Sequence, residues 1–114
     1  MALNIFNNAQ LSGTTTVETL YTAPSIAGGD AADYDCIVLE CDIANTGAGT
    51  ASVDVHMETA GGVSAYLTKG AQILVGSSMK VVSGQKIVLK AGDALKVTSD
   101  VTVDANLSVL EDIN

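Results

Sequence analysis

Between Ala51 and Thr59 the chain alternates without a break. Val53, Val55 and Met57 are apolar, while Ser52, Asp54, His56 and Glu58 are polar. A period of two is the signature of a half-buried strand, because successive side chains leave a strand on opposite faces. The same alternation closes the chain: Val101, Val103, Ala105, Leu107 and Val109 are set against Thr102, Asp104, Asn106 and Ser108. Asp33–Ala44 is a third such segment. Its odd positions Ile37, Leu39, Cys41 and Ile43 are predicted to face the core, and its even positions Tyr34, Cys36, Val38, Glu40 and Asp42 to face outward. Shorter alternating runs lie at Thr14–Tyr21, Val63–Thr68, Ala71–Val75, Met79–Val82, Gln85–Lys90 and Ala94–Thr98. Val63, Ala65 and Leu67 share one side of theirs, and Ile87 and Leu89 oppose Lys86, Val88 and Lys90 in theirs. Helical periodicity is not sustained anywhere.

Gly, Ser and Asn punctuate these runs. Ser12-Gly13 ends an opening segment, and the loop TAPSIAGGDAA (22–32) holds the sole proline. NTGAG (45–49) reads as a hairpin connection, Gly61-Gly62, Gly76–Ser78 and Ser83-Gly84 as turns, and Ala91-Gly92-Asp93 as a tight turn. Eight or nine short strands at this spacing predict an all-β fold, an antiparallel β-sandwich for which jelly-roll connectivity is one option. The division is an N-terminal arm, residues 1–13, followed by one sandwich domain, residues 14–114. Leu3, Ile5 and Phe6 form an apolar group within the arm, and Phe6 is the only phenylalanine. These three are the candidate partner-binding residues, because a large aromatic is a natural docking anchor.

At 114 residues the chain fits one domain with one core. Apolar residues make up 47% and charged residues 16%, which excludes intrinsic disorder. The formal net charge is −8, and every basic side chain is a lysine, in the second half: Lys69, Lys80, Lys86, Lys90 and Lys96. That balance disfavours nucleic acid and anionic membranes, whose recognition needs clustered cations. The longest unbroken apolar run, Cys36–Leu39, is far too short to span a bilayer. The first residues show neither a cationic start nor an apolar stretch, so synthesis in a cytoplasm without a signal peptide is expected. Mean hydropathy is positive and few charges cover the outside, so part of the surface is expected to be buried in an oligomer.

The candidate chemistry is thin. Cys36 and Cys41 should point to opposite faces about 16 Å apart, too far for a disulfide. They are expected to be reduced, with Cys41 in the core and Cys36 outward or in an interface. One C-x4-C pair does not make a zinc site. The single histidine, His56, shares a face with Asp54 and Glu58, but three groups along one straight strand span about 13 Å and read as a solvated face. Asp30, Asp33 and Asp35 cluster beside two glycines, yet the spacing is not that of an EF-hand, so a solvated acidic loop is the reading preferred over calcium. GAGTAS (47–52) lacks the third glycine of a dinucleotide fingerprint. Asn106-Leu107-Ser108 is a formal glycosylation sequon inside an expected strand. No catalytic constellation, metal or cofactor is assigned.

TLYTAP (19–24), ANTGAGTASVDVHM (44–57) and ILVGSSMKVVSGQKIVLKAGDALKVTSD (73–100) together resemble a pattern found in small bacteriophage virion proteins. The opening strand, the Asn-Thr-Gly connection and the Lys86–Val97 hairpin carry the likeness. The resemblance implies a non-enzymatic β-sandwich of the virion. A head decoration or cement protein bound to the major capsid protein is the first expectation, with a homotrimer as the assembly. A neck, tail or fibre-associated accessory touching other virion proteins or the host surface is the second. The family brings no catalytic residues. An enzyme or metal module built on Asp54, His56 and Glu58 is the reading from another class.

Overall fold

A computed structural model describes residues 5–14, 16–24 and 35–113. They form eight strands: β1 (Ile5–Thr14), β2 (Glu18–Thr22), β3 (Asp35–Asn45), β4 (Ala51–Glu58), β5 (Ser64–Ile73), β6 (Ser78–Leu89), β7 (Ala94–Ser99) and β8 (Val103–Ile113). Two antiparallel sheets result, with strand orders β1-β8-β3-β6 and β2-β7-β4-β5. This is the eight-stranded jelly roll, two Greek keys wound into one sandwich.

Only β4 and β5 are both consecutive and hydrogen-bonded; every other connection crosses from one sheet to the other. NTGAG and Ala91-Gly92-Asp93 are therefore inter-sheet crossovers rather than hairpin turns. The reason is burial. Each strand has one apolar face, and a crossover lets consecutive strands close over the same core from opposite sides.

The core is aliphatic. Cys36, Val38, Cys41, Ile43, Val82, Leu89, Val103, Ala105, Leu107 and Val109 come from one sheet. Leu20, Ala51, Val53, Val55, Ile73, Leu95 and Val97 come from the other. The expected inward faces of β4, β7 and β8 are the observed ones, with Met57 and Val101 half-buried against the core.

β3 differs. Cys36 and Val38 are fully buried, whereas Ile37 and Leu39 are only half-buried. The ladder to β8 slips between Val38 and Glu40, leaving Leu39 without a register partner. This extra residue inverts the alternation, so the strand faces in at Cys36 and Val38 and again at Cys41 and Ile43. Cys36, expected to face outward or into an interface, is thus a core residue, and neither buried thiol is in a disulfide.

Two other expected breaks are bulges within longer strands. The runs at Val63–Thr68 and Ala71–Val75 join in β5, where Gly70 takes φ +67° and its N–H donates to Asp54 Oδ1 at 2.7 Å. The runs on either side of Ser83-Gly84 join in β6. There Gly84 (φ +96°) and Lys86 (φ +55°) make the irregularity, and the Gln85 amide bonds Ser83 N and Val81 O. The expected arm, from Ile5 onward, is the strand β1, paired with β8 from Ile5↔Glu111 to Thr14↔Val103. Leu3 lies outside the described residues, as do Asp30, Asp33 and Tyr34.

Candidate functional site

The outer face of the β1-β8-β3-β6 sheet is ordered in rows by its register. Phe6 lies opposite Leu110, Leu110 opposite Ile37, and Ile37 opposite Val88. These four large apolar side chains run straight across all four strands. Phe6 is 75% exposed and Val88 55%, while Leu110 and Ile37 are half-buried between them. The next row is Asn8, Ser108, Glu40 and Ser83, and the one after is Gln10, Asn106, Asp42 and Lys80. One end of this face is therefore apolar and the rest polar.

The bulge at Leu39 shapes the boundary. An open depression of about 380 Å³ lies there, lined by Phe6, Asn7, Asn8, Leu39, Ser108 and Val109. Charges flank the apolar row. Lys80 Nζ meets Glu40 at 2.6 Å and Asp42 at 3.3 Å on one side, and Lys90 Nζ meets Asp35 at 3.8 Å on the other. The two carboxylates hold the Lys80 ammonium above its ordinary pKa by hydrogen bonding. These pairs are exposed and add little stability, but they fix polar margins around an apolar centre, the usual anatomy of a protein-binding patch. Of the three expected anchors, Phe6 is on this face. Ile5 is at the start of β1.

Opposite this face, the outer side of the second sheet carries a row of Thr19, Lys96, His56 and Tyr66. Asp54, His56 and Glu58 share that side as expected, but each is engaged separately. Asp54 accepts from Gly70 N, Glu58 meets Lys96 Nζ at 3.1 Å, and the His56 ring lies 5.4 Å from Tyr66. Lys69 Nζ sits 4.8 Å from the Tyr66 ring centroid, a cation–π contact. Among the described residues no group of three His, Cys, Asp or Glu side chains converges on a metal position.

A buried polar cluster was not foreseen. Glu111 is 6% exposed, and its carboxylate accepts hydrogen bonds from Tyr21 Oη and, at 3.4 Å, from Asn7 Nδ2. Tyr21 Oη also lies 3.6 Å from Cys36 Sγ. Burial, then the bond to Glu111, pushes the Tyr21 phenol well above its ordinary range. The cluster ties β2 of one sheet to β1, β3 and β8 of the other. The signal for it was present: continuing the alternation 101, 103, 105, 107, 109 by one step places Glu111 inward.

No protein-family model matches the sequence, and no curated protein matches it. The fold does match solved structures. One is a chain in the acidic stable capsid structure of Helicobacter pylori bacteriophage KHP30, with a TM-score of 0.52 and 12% identity over 98% of this chain and 89% of that one. Another is in the structure of infectious bursal disease virus Gx strain, with a TM-score of 0.53 and 13% identity over 96% of this chain but 31% of that one. The chain is similar in fold to the first along nearly the whole of both, and to a portion of the second.

Proposed function

We propose that the protein is a non-enzymatic structural component of a bacteriophage virion, a head decoration or cement protein that binds the major capsid protein. One observation carries the reading. The similarity to the KHP30 capsid chain spans 98% of this protein and 89% of that one, so the counterpart is a whole small chain rather than a domain of a large subunit. The outer sheet face supplies what such a role needs, an apolar row bordered by fixed charges and carried on a stiff sandwich. Many weak copies of one contact, repeated over a shell, bind far more firmly than any one of them. A homotrimer suits this reading, because three-fold positions recur on icosahedral shells and a trimer gives each copy one face for the shell.

The test is binding of the purified protein to particles that lack it. Phe6→Ser with Val88→Ser removes the exposed ends of the apolar row and should weaken binding at least about tenfold, the loss typical of anchor residues. Unfolding stability should stay within roughly 0.5 kcal/mol, because both side chains are exposed. Unchanged binding would refute the assignment of this face. The test uses point substitutions because residues 5–14 are a strand of the sheet, and removing them would strip the edge from β8.

A fibre or tail role contacting a host glycan is the second reading. Such sites are built on aromatic platforms. Tyr21 is buried at 9% exposure, which leaves Tyr66, 52% exposed beside Lys69, as the platform among the described residues.

A further inference from the structure

We propose that β1 is a joining strand: its outer edge, unpaired among the described residues, pairs antiparallel with β1 of a second copy across a two-fold axis, fusing two four-stranded sheets into one of eight. The argument starts from how the four edge strands differ. An unpaired edge is a template for another strand, and proteins blunt it with shortness, lysines or bulges. β2 has five residues. β5 carries Lys69 and the Gly70 bulge, and β6 carries Lys80, Lys86 and the Gly84–Lys86 irregularity. β1 has none of these devices along most of its length. Its ten residues, IFNNAQLSGT, contain no charge and no proline, and the pairing with β8 is regular from Ile5 to Leu11.

The occupant follows from charge and chemistry. At a net charge of −8, two copies repel each other over most of their surfaces. β1 is a charge-free strip where they can approach. An isologous contact must be self-complementary, and the exposed Asn8 and Gln10 amides are, since each both donates and accepts. They already meet each other within one chain, Gln10 Nε2 donating to Asn8 Oδ1 at 3.0 Å; the Asn8 N–H, which donates to the adjacent Asn7 Oδ1 at 2.8 Å, is a donor of the strip already engaged. An acidic or basic partner strand would find no charge here to recognise. The contact is independent of capsid binding. In a protein that also forms trimers it would link neighbouring trimers.

The experiment is sedimentation velocity on the full chain across a concentration series, with two variants. Asn8→Lys/Gln10→Lys places like charges opposite each other in any antiparallel register centred on these residues, and so does Asn8→Glu/Gln10→Glu. Each alone should dissociate at least about tenfold more readily than the wild type, because like-charge juxtaposition is costly. An equimolar mixture should re-associate, and native mass spectrometry should show one copy of each variant in the complex. Circular dichroism on each variant should return the wild-type spectrum and melting midpoint. A wild-type chain that stays monomeric at high concentration, or stops at a trimer, overturns the proposal. So does a two-fold assembly (a dimer, or a pair of trimers) that survives both substitutions, or one lost in each variant and not regained in the mixture.

Discussion

Replacing Asn45 by alanine tests the account of how the chain crosses between sheets. Asn45 is 4% exposed, and its side chain makes three bonds within the NTGAG crossover and its neighbour: Nδ2 to Gly49 O at 2.8 Å, Nδ2 to Ile73 O at 2.9 Å, and Oδ1 from Gly47 N at 2.9 Å. Alanine removes all three and leaves a backbone N–H and two carbonyls short of partners. At about 1 kcal/mol per bond the loss is roughly 3 kcal/mol, a large share of the roughly 5–15 kcal/mol typical of a domain. Thermal unfolding followed by circular dichroism should show a midpoint lower by about 10–15 °C. Asn45→Asp sharpens the test. The carboxylate keeps the acceptor for Gly47 N–H but turns an oxygen toward two carbonyls. Its protonated form is favoured in the fold, so its folded pKa lies above the unfolded value. The variant should be at least as unstable as the alanine form at pH 7 and should recover as the pH falls through that folded pKa. An alanine variant within roughly 1 kcal/mol of wild type would refute the role given to this side chain.

Gly47→Ala should cost about 1–3 kcal/mol in the same assay, because a Cβ there would sit 2.3 Å from Val101 Cγ1; a neutral effect would count against the tight crossover. Burial raises the Cys41 thiol from an ordinary 9.0 to about 12. The folded form therefore holds its proton while the unfolded form loses it, and stability should fall by about 1.4 kcal/mol per pH unit between those values. Denaturant titrations at pH 8 and pH 10 should show a fall of about 1.4 kcal/mol from this group, accrued above pH 9, that Cys41→Ala lacks. Neither thiol should react with a thiol reagent in the native protein at pH 8, whereas both should in denaturant; fast native labelling of either would contradict the burial of that thiol.

The sheets were legible where a strand obeys one rule without interruption. β4, β7 and β8 alternate cleanly, and each faces as its pattern says. What failed was counting across irregularities. Leu39 ends an apolar run, Cys36–Leu39, where either phase looks acceptable, so the bulge that inverts β3 left no polar residue out of place. Ser83-Gly84 and Gly70 carry the chemistry of turns. A bulge and a turn call on the same positive-φ residues, and only the partner strand decides between them. Hairpin and crossover are likewise indistinguishable in a short Gly-rich connection. The opening segment lacked strong alternation, since Asn7, Asn8 and Gln10 mask its phase, and it became a strand because β8 offered it an edge. Phe6 was visible as an anchor. Its companions Leu110, Ile37 and Val88 were not, because they become neighbours only through the register.

The most direct measurement of the central claim, that the chain is a virion component, is its copy number in purified particles of a phage whose genome carries its gene, by quantitative mass spectrometry against the major capsid protein. A decoration or cement protein predicts a count comparable with that of the capsid protein. A few copies per particle would move the chain to the neck, tail or fibres, and absence from the particle would contradict the virion reading altogether.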